Sequence, residues 1–206
     1  SVKAIQGENY EAVLNIMKDA VSKGSGSSVG HIFFKDHEAR FAKINRICCP
    51  TGLSHLDAKD VFNGGLSRGE IGVIVAPTGV GKSHWLVAMG AEALRRGKNV
   101  IHYTFELSET AVGIRYDSNL TGIDSSDIVE NKEKVLEYYE NNDHGRLIIK
   151  QYPTGSASIV TIRNHIEKLS MKDFVPSLIV LDYADIMRST RQYDSLRHEL
   201  KLVYEE

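Results

Sequence analysis

The sequence predicts an α/β fold in which a mostly parallel sheet is covered by helices on both faces. Three observations lead to this prediction. Apolar β-type runs alternate with helical patterns from residue 71 onward, as parallel strands joined by crossover helices require. The 206 residues suit one domain with an appendage. A hydrophobic fraction of 42% and a charged fraction of 25% are ordinary for a globular protein that folds in water.

The N-terminal segment predicts helices and a hinge. Apolar residues recur at helical spacing over 8–22, and the Gly/Ser run at 24–28 ends this pattern as a hinge or linker would. The helix suits docking on another subunit and covering its own domain equally well. A second, short helix is predicted over 37–47. We therefore expect a linker helix and hinge over residues 1–45, followed by the main domain over residues 46–206.

The main domain predicts regular alternation of strands and helices. The predicted strands cover 71–76, 99–105, 146–151 and 177–182, and the predicted helices cover 82–95, 108–120, 125–141 and 157–170. Ligands of parallel sheets bind at the carboxyl ends of the strands, so we expect the functional residues there. A last helical pattern over 192–206 has no stop signal, and we expect the domain to be truncated at its C-terminus.

Charge, cysteines and hydropathy exclude several classes of protein. A net charge of −2 argues against a wholly basic nucleic-acid binder, but it leaves a local basic lining open. Cys48 and Cys49, the two cysteines, are adjacent and fit neither a disulfide framework nor a metal site. No apolar run approaches the roughly 18 residues of a membrane span, and the first residues show no signal-peptide pattern. We expect a cytoplasmic protein without membrane contact.

The most informative motif lies at 71–83, where an apolar run leads into a glycine-containing loop that ends in Gly-Lys-Ser and opens a helix. Loop N–H groups and the helix N-terminus bind phosphate in this layout. Ala76 replaces the first glycine of the pattern G-x-x-x-x-G-K-[ST], which matters little if Gly79 and Gly81 supply the curvature. We expect Lys82 to reach the phosphates of ATP and Ser83 to ligate Mg²⁺. The predicted nucleotide-binding residues are Ala76, Pro77, Thr78, Gly79, Val80, Gly81, Lys82, Ser83 and His84, although packing of the first helix is the simpler interpretation for His84.

Hydrolysis of ATP needs two further carboxylates. Asp182 follows four apolar residues of the last predicted strand, and we expect it to help hold Mg²⁺. The alternative is a buried strand that happens to end in an acid. Glu106 follows the predicted strand 99–105 and is the best candidate for the base that polarises the attacking water. A solvated loop glutamate is the alternative for Glu106.

Several basic and aromatic residues are weaker candidates. Arg115, on the helix after Glu106, suits a contact with phosphate or with a neighbouring subunit, although an exposed helix arginine is the simpler interpretation. Tyr183, Arg188 and Arg191 follow Asp182, where they suit either a nucleic-acid path or a solvated loop. The eight histidines show no metal-ligand spacing.

Five motifs together resemble the motor domain of DnaB-type replicative helicases, which has a RecA-like core. They are Thr-Gly-x₃-Leu-Asp at 51–57, Gly-Gly-Leu-x₂-Gly at 64–69, Ala-x₄-Gly-Lys-Ser at 76–83, Phe-Glu-Leu-Ser at 105–108 and Leu-Asp-Tyr at 181–183. The stretches 145–155 and 164–182, with Ser-Val-Gly-His at 28–31, are similar to the replicative helicases of T4-type bacteriophages. The resemblance implies that Glu106 is the catalytic base and that Asp182 belongs to the metal site. It also implies that Arg115 stands close to the position of an arginine that the family carries on its next helix.

The resemblance also implies partners and an assembly. Members of the family are hexameric rings that hold nucleotide between subunits and thread single-stranded DNA through the pore, with a primase and a helicase loader as further partners. Their DNA-contacting loops and arginine finger would fall after residue 206. We therefore expect an ATP- and Mg²⁺-dependent helicase motor domain that acts in the cytoplasm. If the chain is phage-encoded, this is the cytoplasm of a bacterial host. The fragment alone is expected to be weakly active or inactive.

Two other functions fit the same motifs. A RecA-type recombinase or a circadian-clock-type ATPase shares the motor core, and filament formation on DNA would distinguish a recombinase from a helicase. A nucleotide-gated assembly module would bind ATP and scarcely hydrolyse it. Such a module predicts a thermal shift with ATP but no release of phosphate.

Overall fold

The computed structural model of the chain describes residues 46–189, together with residues 32–35, 38 and 41. The helices predicted over 8–22 and 192–206 lie outside the described residues, as does most of the helix predicted over 37–47. Backbone contacts divide the chain into two compact units, Ser1–Asn45 and Arg46–Glu206. The elements with described bounds all belong to the second unit. The assignment of a linker helix to the first unit and an ATPase domain to the second stays a prediction.

The second unit alternates strands and helices. In chain order its elements are β1 (Cys48–Cys49), β2 (Leu66–Ser67), α1 (Lys82–Arg95), β3 (Val100–Thr104), α2 (Glu109–Thr121), α3 (Lys132–Asn141), β4 (Leu147–Gln151), α4 (Ile159–Ser170), β5 (Leu178–Asp182) and a 3₁₀ turn (Ala184–Ile186). No helix among the described residues is both long enough and apolar enough to cross a lipid bilayer.

Three parallel strands form the central sheet in the order β4-β3-β5. Thr104 at the end of β3 pairs with Gln151 of β4 on one side and with Asp182 of β5 on the other. The carboxyl ends of the three strands therefore lie at one edge of the sheet. Any side chains that follow these strands are brought together there.

The hydrophobic core lies on both faces of the sheet, because successive strand residues point to opposite sides. Val100 of β3 and Val180 of β5 pack with apolar residues of α1 and α2 on one face. Ile101 of β3 packs with Ile162 of α4 on the other face. The predicted α/β fold with a parallel sheet between helices is confirmed.

The strand predicted over 71–76 is wrong. Its residues belong to no strand, and Ile71, Val73 and Val75 are 88%, 64% and 89% exposed. Alternating apolar residues show that a segment suits a half-buried strand, but they do not supply a partner strand. Among the described residues, no strand pairs with this segment. The predicted β-type run is therefore an extended lead into the glycine loop.

The helix predicted over 125–141 begins late, at Lys132. Residues 125–131 form turns instead. The Asn131 side chain donates to the carbonyl oxygen of Asp127 at 2.9 Å, which replaces a regular helical start. The other predicted elements that lie in the described range agree with the structure to within two residues.

The antiparallel ladder of β1 with β2 was not predicted. Each strand has only two residues, which is too short for a recognisable pattern. Gly65, just before β2, has φ +110°, and a Cβ there would lie 2.2 Å from the carbonyl oxygen of Cys49. Only glycine permits this close approach of the two backbones.

Candidate nucleotide-binding site

The glycine loop before α1 has the curvature that the sequence motif predicts. Gly79 and Gly81 have φ angles of +82° and +93°, in the left-handed region that favours glycine. A Cβ on either residue would meet nothing within 4 Å, so their constraint is backbone conformation and not space. Residues 77–80 of the loop are exposed. The loop therefore turns sharply while it remains open to a ligand.

The N-terminus of α1 is not capped by its own chain. Gly81 occupies the N-cap position without a side chain that could accept a hydrogen bond, and the first turn carries no acidic residue. The first bond of the helix runs from the Trp85 N–H to the carbonyl oxygen of Gly81 at 3.0 Å. The N–H groups of Lys82, Ser83 and His84 precede that bond and have no partner within the helix. Such N–H groups, with the positive end of the helix dipole, form an anion site.

Lys82 lies against the loop that precedes it. Its Nζ donates to the carbonyl oxygen of Ala76 at 2.8 Å. Both residues line a cavity of about 230 Å³, whose other lining residues are Ile74, Val80, Gly81 and Trp85. The ammonium group thus occupies the inner side of the loop, where a phosphate group would be its natural partner in place of the carbonyl.

The predicted carboxylates meet at the carboxyl edge of the sheet. Asp182 ends β5 and is 5% exposed. The Phe105 N–H, just after β3, donates to the backbone carbonyl oxygen of Asp182 at 3.0 Å and continues the pairing by one residue. Glu106 comes next and is exposed. Because the strands are parallel and in register, the loop that carries Glu106 begins beside Asp182.

Tyr183 connects the two carboxylate positions. It directly follows Asp182, and its phenol lies close enough to Glu106 for the negative charge of that carboxylate to act on it. Partial burial and the negative charges of Glu106 and Asp185 raise the pKa of Tyr183, so the phenol stays protonated and remains a donor. The sequence offered Tyr183 only as a nucleic-acid or loop residue. Its position next to the acid of β5 was the signal that could have found this contact.

The glycine loop and the carboxylates share one face of the sheet. Val180 packs in the cluster that contains Val87 of α1, and Asp182 points to the same face as Val180, two residues earlier. Within residues 46–189, no hydrogen bond or ion pair joins Lys82 or Ser83 to Glu106 or Asp182. The structure thus brings Glu106, Asp182 and Tyr183 together, and it places the loop on the same side without linking it to them.

Arg115 lies on α2, partly buried, beside the buried Tyr116. Its positive charge helps to lower the pKa of His102 on β3, so the arginine lies near the central strand. His84 is exposed at the start of α1. The roles in phosphate or subunit contact stay predictions for both residues.

The side chains at this site are suitable ligands for a magnesium ion that is bound together with a nucleotide. Mg²⁺ prefers oxygen ligands and is usually held by one or two carboxylates together with substrate phosphates. Asp182 supplies a carboxylate and Ser83 a hydroxyl, and the open loop and uncapped helix supply the place for the phosphates. Among the described residues no group of three or more His, Cys, Asp or Glu residues forms a metal cage of its own. That composition suits a metal site which the nucleotide completes.

The parallel sheet and the glycine loop before α1 define the class, a RecA-like α/β domain of the P-loop type. The profile of the family described as DnaB-like helicase C terminal domain matches residues 48–203. The chain belongs to this family.

Two named replicative helicases are similar in sequence to this chain. The DnaB-like replicative helicase of Enterobacteria phage T4 is 34% identical over 188 residues, which cover 87% of this chain and 40% of the phage protein. The replicative DNA helicase DnaB of Helicobacter pylori is 24% identical over 156 residues, which cover 73% of this chain and 31% of that protein. The chain thus spans well under half the length of these two relatives.

Solved structures show the same fold. A DnaB-like replicative helicase, described together with its interactions with primase, superposes with a TM-score of 0.65 at 16% identity and covers 98% of this chain and 52% of that one. A second solved structure, described as an ATPase domain, superposes with a TM-score of 0.61 at 16% identity, covering 82% of this chain and 64% of that one. At this identity the likeness supports the fold alone.

Proposed function

We propose that this chain is the ATP-hydrolysing motor domain of a replicative DNA helicase, in which hydrolysis drives movement along single-stranded DNA. The observation that carries the proposal is the uncapped N-terminus of α1 behind the glycine loop, on the sheet face that also carries Asp182. Membership of the DnaB-like helicase family supports the helicase assignment.

The chain's own groups account for phosphate binding. The N–H groups of the loop and of the first turn of α1 donate to the phosphate oxygens, and Lys82 exchanges its bond to Ala76 for one to the terminal phosphates. Ser83 and Asp182 would hold Mg²⁺, which neutralises charge on the phosphates when it is bound. Preorganised donors of this kind are each worth about 10²- to 10³-fold in turnover.

Glu106 acts as the general base in this proposal. Its carboxylate takes a proton from water as the water oxygen attacks the γ-phosphorus, and the bond to the oxygen bridging the β- and γ-phosphates breaks to give ADP and phosphate. The Tyr183 phenol lies near this carboxylate, and we expect its hydroxyl to donate to one carboxylate oxygen and so to orient the base. One carboxylate oxygen remains for the water.

The assembly and partners are part of the same proposal. We expect homo-oligomers with single-stranded DNA as the track, since the relatives are replicative helicases. A primase partner is supported by the structural neighbour that is described with primase. The phage relative suggests that the chain acts in the cytoplasm of a bacterial host.

Glu106→Gln tests the proposal most directly. The amide keeps the size of the side chain and can accept the Tyr183 bond, but it cannot take the proton. We expect turnover to fall by about 10²- to 10⁴-fold while ATP binding is unchanged. The measurement is phosphate release by the full-length gene product with and without single-stranded DNA, with equilibrium binding of ATP alongside.

Glu130→Gln, on an exposed turn away from the sheet edge, is the matched control and should retain full turnover. Normal hydrolysis by Glu106→Gln would overturn the assignment of the base. ATP binding without any hydrolysis by the wild-type protein would favour a nucleotide-gated assembly module instead.

A further inference from the structure

His102 is completely buried at the centre of the sheet, yet one of its ring nitrogens has no hydrogen-bond partner. Its side chain is 0% exposed in the middle of β3. Nδ1 is paired with the Tyr116 hydroxyl at 3.0 Å. Within residues 46–189, Nε2 of His102 is the one buried side-chain nitrogen or oxygen that lacks a partner. Buried polar atoms are nearly always paired, so this nitrogen calls for an explanation.

The orientation of the ring is fixed by two helices. The Tyr116 ring of α2 meets the imidazole edge-on, with 5.6 Å between centroids and 84° between planes. The Tyr116 hydroxyl packs directly on Gly90 of α1, where a Cβ would lie only 2.1 Å from the phenol oxygen. The imidazole is therefore held by the helix that begins at the glycine loop and by the helix that follows Glu106.

The hydrogen on the ring can be assigned from the same contacts. Among the described residues, His102 Nδ1 is the hydrogen-bond partner of the Tyr116 hydroxyl, so the phenol donates its hydrogen to Nδ1. The ring is completely buried, where an unpaired charge is costly, so it is neutral. A neutral ring that accepts at Nδ1 carries its hydrogen on Nε2. The unpaired group is thus a donor in need of an acceptor.

Asp182 is the acceptor that the sheet face offers. His102 and Thr104 of β3 point to the same face as Asp182 of β5, which lies opposite Thr104. The Thr104 hydroxyl is already used, because it donates to the Leu107 carbonyl oxygen and accepts from the Leu107 N–H. His102 pairs with Val180 of β5, so Asp182, two residues further along β5, is its diagonal neighbour on this face.

We propose that His102 is a positioning residue of the nucleotide site, whose Nε2–H donates to the Asp182 carboxylate through one buried water. This inference rests on the proposed function, because it gives Asp182 the role of a magnesium ligand. Carboxylates that bind metals are commonly held by such outer hydrogen bonds, and removing one typically lowers metal affinity by about 10- to 100-fold. His102 was not predicted as a functional residue, because the spacing of the histidines along the chain fits no metal site.

Two substitutions separate the two ring nitrogens. In His102→Asn the side-chain amide reaches only the place of Nδ1, so it can keep the Tyr116 bond but loses the Nε2 donor. In His102→Gln the longer side chain brings an N–H group to the place of Nε2. His165→Asn is the matched control, because His165 also pairs through Nδ1 with a tyrosine hydroxyl, that of Tyr103 at 2.9 Å, on the opposite face of the sheet.

The measurement is binding of a fluorescent ATP analogue to the full-length protein as Mg²⁺ is titrated. We expect His102→Asn to raise the Mg²⁺ concentration at half-saturation by about tenfold or more, while metal-free nucleotide binding is unchanged. His102→Gln should recover most of the loss, and His165→Asn should behave as wild type. A role in packing alone would lower stability equally in both His102 variants and leave the Mg²⁺ dependence untouched.

A spectroscopic measurement covers the case in which a His102 variant fails to fold. A long-range ¹H–¹⁵N spectrum of the wild-type protein should show His102 with its hydrogen on Nε2, and addition of Mg²⁺ with nucleotide should shift the His102 nitrogens but not those of His165. If the wild-type protein binds no Mg²⁺–nucleotide, the proposed function fails. If it binds and neither the spectrum of His102 nor the Asn variant responds, the positioning role alone is wrong.

Discussion

Helices α1 and α4 pack on opposite faces of the same sheet, and their first turns are built in opposite ways. At α4 the Ser158 side chain accepts from the Thr161 N–H, and the Thr161 hydroxyl accepts from the Ser158 N–H. At α1 the N-cap is Gly81, which offers no side chain at all. At α4 side chains pair N–H groups of the first turn, whereas at α1, behind the glycine loop, no side chain does and these groups remain for another molecule. The comparison predicts that substitutions at α1 affect function and substitutions at α4 affect stability.

Lys82→Ala should give the largest effect of this comparison. The variant loses the cation expected on the terminal phosphates, so turnover should fall by about 10²- to 10³-fold. The melting temperature should change little, since the bond that is lost joins Lys82 to a carbonyl of its own loop. ATPase assays and thermal melts check both statements.

Lys134→Ala serves as the control for Lys82. Lys134 Nζ also donates to an oxygen of its own segment, Oδ1 of Asn131 at 2.8 Å, but it lies on α3 away from the loop. Its turnover should equal that of the wild type. Wild-type turnover in Lys82→Ala would contradict the functional role that we assign to the N-terminus of α1, in contrast to α4.

His102 and His165, which each pair with a tyrosine hydroxyl on opposite faces of the sheet, offer a second comparison, through stability at acid pH. Burial lowers the pKa of His102 to about 4 against an ordinary 6.5, an effect that Arg115 reinforces and Asp182 opposes, while Tyr116 occupies Nδ1. Between these pH values the unfolded chain binds more protons, so the free energy of unfolding decreases as pH falls from about 6.5 to about 4. The loss from this one residue should approach 3 kcal/mol at most.

Urea titrations across that pH window check the effect. His102→Gln should flatten the profile relative to the wild type, because the amide does not titrate. His165, whose pKa is also lowered mainly by burial, lies nearer the surface and its replacement should change the profile less. An unchanged profile in His102→Gln would show that His102 does not remain neutral in the folded protein.

Ser158→Ala should give the smallest effect, confined to stability. Loss of the cap leaves the Thr161 N–H without its partner and should cost about 1 kcal/mol. Turnover per folded molecule should be unchanged. Equilibrium denaturation measures the loss, and Ser54→Ala at an exposed position is the control. A drop in turnover without loss of stability would contradict the structural role assigned to α4.

The sequence was sufficient for features that depend on local pattern. Apolar runs identified β3, β4 and β5, and the rule for parallel strands placed Glu106 and Asp182 at one edge of the sheet. It failed where the outcome depends on a partner. The run 71–76 has the pattern of a strand but no neighbour among the described residues.

Side-chain contacts between different elements could not be predicted from the sequence either. The proximity of Tyr183 to Glu106 depends on strand register, and the bond of His102 to Tyr116 depends on how closely α2 approaches the sheet. Neither is written in the spacing of residues along the chain. A polar histidine inside the apolar run 99–105 was nevertheless a visible irregularity, and it marks the residue with the unpaired nitrogen.

Gly90 has a consequence for how α1 and α2 fit together. The phenol of Tyr116 fills the space that any other residue at position 90 would need for its first side-chain carbon. Even a methyl group there would have to push the two helices apart or turn the tyrosine away. The distance between the helix that starts at the glycine loop and the helix that follows Glu106 is therefore set by the thickness of one hydroxyl-bearing ring.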